Sequence, residues 1–193
     1  MSRRKLYIFS LKKTVFFLII LFFAAALIFA AVILNSRFKT AHYETVLKYS
    51  ERYNVPKELI FAVILAESSF NENAVSPVGA KGLMQLTDDT FDWLKTQINE
   101  DTRDDTDIFD PDTNIKYGTF FLAILREEFV SDQVALCAYN AGRNRAREWL
   151  SNKEYSDDGE SLKFIPFKET REYSKKVLFY NNVYKYILKI RKG

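Results

Sequence analysis

The chain has 193 residues, 48% of them hydrophobic, which is enough for one sizeable core and too little for two. A single cysteine, Cys137, and a single histidine, His42, exclude an intramolecular disulfide and a cysteine–histidine zinc site, and leave a serine–histidine triad only His42 to draw on. The net charge of +3 is unevenly placed: five basic residues precede position 15, and the rest carries 23 basic against 25 acidic residues, so no basic excess argues for binding nucleic acid.

Residues 1–14 form a basic tail, followed at 15–34 by an uncharged apolar stretch of 20 residues. That length suits a helix crossing a hydrocarbon core of roughly 30 Å, and it exceeds the apolar region of about 7–15 residues in a cleaved leader. An uncleaved membrane-spanning anchor is therefore expected. Arg3, Arg4, Lys5, Lys12 and Lys13 precede it and only Arg37 and Lys39 follow closely, which keeps the N-terminus in the cytoplasm and places the body outside. A short stalk, 35–42, leads to a body spanning 43–193.

Along the body the apolar spacing is helical and strand signals are scarce, so an all-α fold is expected. A first helix is predicted over 41–53, and Pro56 pre-sets a second over about 57–70. The segment around Gly79 and Gly82 must turn, with short helical pieces through 84–86 and 90–98. Residues 100–110 read as a polar loop. Its acids at 101–107 lack the glycine and terminal glutamate of a calcium loop and include Arg103, so solvated acids are the better account. Asp110 and Pro111 start a helix running to about 129, and Ser131 caps another that ends near Gly142. Positions 143–150 continue helical. Cys137, among Val134, Ala135, Leu136 and Ala138, reads as a small buried filler. After a polar loop at 151–160, Tyr173, Val177, Tyr180, Tyr184 and Ile187 lie at helical spacing within a long last helix, 170–189.

One carboxylate stands out. Glu67 follows the apolar run 59–66, where neighbours remove solvent and the end of a helix disfavours negative charge. Both effects raise its pKa toward neutrality, as a general acid requires. A buried glutamate satisfied by backbone or hydroxyl donors fits the same composition.

Four motifs in order bear on that choice. Glu67-Ser68-Ser69-Phe70-Asn71 is followed by the segment 74–86, which contains Ser76, Gly79, Gly82, Met84 and Gln85. Ala138-Tyr139-Asn140-Ala141-Gly142 comes next, and Glu169-Thr170-Arg171-Glu172-Tyr173 last. Together with Phe109-Asp110-Pro111, Asn114 and Gly118, this resembles the catalytic domain of the soluble lytic transglycosylase family, with its goose-type-lysozyme-like α fold, over about 43–186.

The resemblance implies that Glu67 is the acid and base, that Ser76 and Gln85 line a sugar groove, that Tyr139 and Asn140 face it, and that Glu169 and Tyr173 close the site. Gly79 and Gly82 would let backbone approach a sugar, and Gln85 would donate to and accept from an N-acetyl group. The substrate implied is the glycan strand of peptidoglycan, cleaved between N-acetylmuramic acid and N-acetylglucosamine with formation of a 1,6-anhydro sugar, without metal or cofactor. Two departures are visible. Thr87 and Asp88 replace the usual apolar residue and proline after Leu86, and Ser174 follows Tyr173 where the family favours an apolar residue. Two other readings stay open: a hydrolytic muramidase using Glu72, Asp88 or Glu169 to activate water, and a non-catalytic wall-binding module of an envelope complex.

Overall fold

The structure, a computed structural model, describes residues 3–99 and 107–190. Most of the acidic loop at 100–110 lies outside the described residues. Two compact units divide the chain, 1–39 and 40–193.

The first unit is the helix α1, Arg3–Arg37. Among the described residues no helix is long and apolar enough to cross a membrane. The expected membrane-spanning helix thus finds no support in the fold.

The second unit is built around α3, Lys57–Glu67, where Leu59, Ile60, Phe61, Ala62, Val63, Ile64 and Leu65 are all buried. A helix apolar on every side has no solvent face and must be wrapped. Four helices that wrap it or brace its neighbours are α2 (Tyr43–Tyr53), α5 (Pro111–Glu128), α6 (Asp132–Ala141) and α8 (Lys168–Ile190). The α8 helix packs along α3 and α6, and α5 packs on α2 and α6. Phe61 stacks on Tyr184 of α8 at 5.4 Å and on Tyr43 of α2 at 6.0 Å. Each such buried side chain contributes about 1.5–3 kcal/mol relative to exposure. Helices α4, Asp88–Gln97, and α7, Arg143–Ser151, flank this core.

Local chemistry sets the helix ends. Asp110 accepts from Thr113 N at 2.8 Å and Ser131 from Gln133 N at 3.2 Å, so α5 and α6 start where their caps predict. Gly142, at φ 94°, both ends α6 and starts α7, turning the chain sharply between them. Among the described residues the body has helices joined by loops and no strand, only two isolated antiparallel bridges, Val75 to Lys81 and Lys81 to Leu86.

Those bridges correct one expectation. Residues 84–86 are not helical: Met84 and Leu86 are buried, and Gln85 takes a left-handed φ of 52°. The second predicted helix also ends early, at Glu67, because Ser69 and Phe70 are left-handed as well. Cys137 is fully buried, and burial pushes its thiol up to about 11, opposed by a hydrogen bond to Ser174. Ser174 is itself fully buried, so its small hydroxyl side chain fits the α6–α8 seam where a larger apolar group would crowd the cysteine.

Candidate active site

The carboxylate of Glu67 stands at the point where α3 stops. Ser68 N and Ser68 Oγ both donate to Ile64 O, at 3.1 and 3.2 Å, and Ser69 Oγ donates to Leu65 O at 3.4 Å. The last carbonyls of the helix are thereby satisfied by the serines of the motif, leaving the glutamate side chain free to point into a cavity. Burial lifts its pKa from the ordinary range to about 7. The Tyr173 hydroxyl and the Lys176 ammonium oppose that rise, and Glu169 adds to it. Desolvation is therefore the leading cause, and the acid is close to half protonated at neutral pH.

Tyr173 lies buried on α8 beside the carboxylate, yet its hydroxyl closes no hydrogen bond of ordinary geometry. It is a near neighbour of Glu67 rather than a fixed partner. Lys176, one turn along, donates from Nζ to Ala66 O at 2.9 Å, which holds a positive charge just outside the site.

Facing the acid is the segment 74–86, held by hydrogen bonds that run across it. Gly82 N donates to Ala74 O at 2.9 Å, Ala80 N donates to Ser76 Oγ at 3.0 Å, and Lys81 and Leu86 exchange bonds at 2.8 and 3.0 Å. The amide of Gln85 is spent inside this segment: Nε2 donates to Ala74 O at 3.1 Å and to Gly82 O at 2.9 Å. Only its carbonyl oxygen is left for a ligand, so it serves as an acceptor and not as the two-way partner expected from its type.

Asn114 on α5, fully buried, braces the segment from behind. Its Oδ1 accepts from Met84 N at 2.7 Å, and its Nδ2 donates to Lys81 O at 3.1 Å and Ile108 O at 2.8 Å. A Cβ on Gly82 would sit 2.3 Å from Asn114 Nδ2, and Gly82 has φ 77°. This brace thus requires a glycine at position 82. Gly118 likewise makes room for Met84, whose Sδ would lie 2.5 Å from an added Cβ.

The third wall comes from the end of α6. Tyr139 Oη donates to Met84 O at 2.8 Å, and its ring tilts against Phe121 at 5.1 Å. Its proton is committed to that carbonyl, leaving oxygen lone pairs for other neighbours. Burial and the nearby Glu67 charge raise its pKa well above the usual phenol range. Asn140 Oδ1 accepts from Thr170 Oγ1 at 2.7 Å, tying the end of α6 to the first turn of α8.

These walls enclose a cavity of about 230 Å³. Of the residues singled out in the sequence, Glu67, Ser76, Gln85, Tyr139, Asn140 and Glu169 line it, whereas Gly82 and Tyr173 stand behind it. Thr87, Thr90 and Phe121 line it as well and were missed. The signal for the first two was present: Thr87 accepts from Thr90 N at 3.3 Å as the N-cap of α4, ahead of two acids that suit a first turn. The departure at 87–88 is accounted for the same way, since Asp88 also pairs with Lys81 at 2.8 Å. Of the three carboxylates considered for activating water, Glu72 pairs with His42 at 3.0 Å and Asp88 with Lys81, and only Glu169 lines the cavity.

The family profile described as Transglycosylase SLT domain matches residues 44–162. The chain belongs to this family. A second profile, the soluble lytic transglycosylase helical domain, matches 164–192. Among relatives of this SLT-domain chain, the soluble lytic murein transglycosylase of Escherichia coli K12 is 34% identical over 158 residues, covering 80% of this chain and 24% of that protein. The membrane-bound lytic murein transglycosylase C of Edwardsiella ictaluri is 32% identical, covering 83% and 50%. An inactive glutamate-to-glutamine mutant of the lytic transglycosylase Slt from Pseudomonas aeruginosa superposes with a TM-score of 0.68 at 34% identity, over 79% of this chain and 25% of that one. The 70 kDa soluble lytic transglycosylase from Escherichia coli gives the same score at 32% identity, over 80% and 26%. This SLT-domain chain thus spans about a quarter of the length of the soluble relatives it matches.

Proposed function

We propose that this SLT-domain chain is a lytic transglycosylase of peptidoglycan, with Glu67 as the single acid and base. The observation that carries the reading is a carboxyl held near pKa 7 by burial, opening on a cavity lined by Gln85 and Tyr139. Protonated Glu67 gives its proton to the oxygen linking N-acetylmuramic acid to N-acetylglucosamine, and the bond from that oxygen to the anomeric carbon breaks. The resulting carboxylate takes the proton of the muramic 6-hydroxyl, whose oxygen closes on the anomeric carbon. A 1,6-anhydro end forms, no water is consumed, and Glu67 is protonated again.

Positive charge develops at the anomeric carbon between these steps. Gln85 presents a carbonyl oxygen and Tyr139 an oxygen whose proton is committed elsewhere, so both offer lone pairs to that charge. Ser76, Asn140 and Glu169 line the remaining walls as sugar contacts, and the Tyr173 hydroxyl behind Glu67 tempers the rise in its pKa. Because Glu169 also lines the cavity, hydrolysis with Glu169 activating water is the second reading. Mass analysis of fragments released from purified peptidoglycan separates the two. Anhydro ends support transglycosylation, reducing ends support hydrolysis, and no release rejects both.

The same proposal places the body outside the cytoplasm. The domain organisation is a basic tail at 1–14, an anchor at 15–34, a stalk at 35–42 and the transglycosylase domain at 43–193. Its support is the uncharged 20-residue stretch with its basic flank. Protease added to protoplasts should remove the body and leave a small membrane-bound N-terminal fragment. Release of an intact body beginning near residue 35 would reject the anchor.

A further inference from the structure

Thr90 and Phe121, which line the Glu67 cavity, also line a larger one of about 610 Å³. That volume lies within the range of specific ligand sites. Trp93 and Asp89 of α4 form one side, and Arg143, Arg145 and Arg147 of α7 form the other. Two of these arginines share one carboxylate. Arg143 Nε donates to Glu128 Oε2 at 2.7 Å, and Arg147 Nε lies 2.6 Å from Glu128 Oε1, an ion pair not aligned as a hydrogen bond. The Glu128 side chain is only 16% exposed. Arg143 also lies over the Trp93 ring, 5.2 Å from its centre.

A guanidinium carries five N–H donors, so one contact to Glu128 leaves most of each fork unspent. Glu128 balances one of the two charges, and a positive charge remains on this wall. The excess is local to that wall: Glu148 is taken by Arg145 at 2.7 Å, and Asp89, which balances the remaining charge formally, stands across the cavity in the first turn of α4, where the helix end favours negative charge. Arg143 is thus oriented before any ligand arrives by its hydrogen bond and by Trp93, and Arg147, half exposed, is held beside it by charge.

We propose that this cavity binds the carboxylates of the acidic peptide branch carried by the muramic residue seated beside Glu67, with Arg143 and Arg147 as the residues that set this preference. The inference rests on the transglycosylase reading. Its chemistry is distinct, because the arginines act on the branch and take no part in cleaving the glycan.

The test uses the full chain and two soluble peptidoglycan fragments, a disaccharide-peptide with free carboxylates and the same compound with them converted to carboxamides. Binding is followed by nuclear magnetic resonance titration at low and high salt. The free acid should bind about tenfold more tightly than the amide, an advantage that shrinks with salt. Arg143→Gln with Arg147→Gln should bring the two within about twofold, leaving the amide's affinity unchanged. Should the double variant fail to fold, Arg147→Gln alone, which keeps Arg143 on Glu128, should reduce the preference by about threefold. Equal binding of acid and amide by the unaltered chain would overturn the proposal, as would an equal loss for both fragments in the variants, which would mark a saccharide contact instead. Absence of glycan cleavage with the acid preference intact would reject the transglycosylase reading and leave the carboxylate site standing. Cleavage without the preference would do the reverse.

Discussion

Two polar side chains of the body, one buried behind the cavity wall and one opening on the cavity, are treated in opposite ways. Asn114 is fully buried and spends both amide hydrogens and its oxygen on Lys81, Ile108 and Met84. Glu67 stands at the end of the most apolar helix of the body with no closed side-chain bond, and burial keeps it close to neutral. A satisfied buried group stabilises the fold, and an under-satisfied one keeps a proton it can give away. One residue therefore holds the wall of the cavity in place, and the other presents a titratable carboxyl to it.

Replacing the acid is the strongest way to break the comparison. Glu67→Gln keeps the shape and removes the proton, so cleavage of peptidoglycan should fall by at least about 10²–10⁴-fold. Stability should move the other way. The folded pKa of Glu67 is raised to about 7, so its stabilising protonation is complete below the unfolded pKa and is lost as pH rises through 7. The variant should escape that loss and be more stable above pH 8, by about 3 kcal/mol at most. Thermal melts at pH 5 and pH 8 check the sign; a variant less stable at pH 8 than the unaltered chain would show that Glu67 is a satisfied structural acid.

Asn114→Ala tests the other half. It strands Met84 N and the carbonyl of Ile108, while Lys81 O keeps its bond from Leu86 N, and should cost about 2–5 kcal/mol, with cleavage falling because the 74–86 segment is less firmly held. Urea unfolding and a cleavage assay on the same preparation check it; full activity in a destabilised protein would separate the brace from the site. Tyr139→Phe removes the donor to Met84 O and should cost about 1–3 kcal/mol in stability, with a smaller loss of activity than Glu67→Gln. The smallest effects have opposite signs. Lys176 lowers the Glu67 pKa and Glu169 raises it. Lys176→Met should accordingly move the alkaline limb of the pH–rate profile up and Glu169→Gln should move it down, each by a fraction of a unit. A shift of both in one direction would mean that the limb belongs to another group.

Much of the acid's side of this contrast was legible in the sequence. The unbroken apolar run ending in Glu67 announces a buried helix whose last side chain leaves the core, and the serines after it announce the stop. The brace was not legible as such. Asn114 meets Met84 across 30 positions and Lys81 across 33, and nothing local marks an asparagine on a helix as the partner of a turn so far away. Gly82 was visible as a turn residue, yet the reason for it lies in the same distant contact. Residues 84–86 misled because two apolar residues around a polar one look helical, while the paired bonds between Lys81 and Leu86 close them into a turn with Gln85 left-handed. The cavity walls from α4 and α5 followed the same rule: Thr87 caps its own helix and was readable, whereas Phe121 enters only through packing.

The fully buried Cys137 carries a further consequence, outside the chemistry of sugars. Its thiol is pushed up to about 11, so almost none is thiolate at physiological pH, and no surface route reaches it. A chain with one accessible cysteine, placed where oxidants are plentiful, would couple to other thiols through mixed disulfides. Sealed between α6 and α8, this one gives neither a disulfide partner nor a target for alkylation until the fold opens. Reaction of the native chain with a thiol reagent would therefore report unfolding, one molecule at a time.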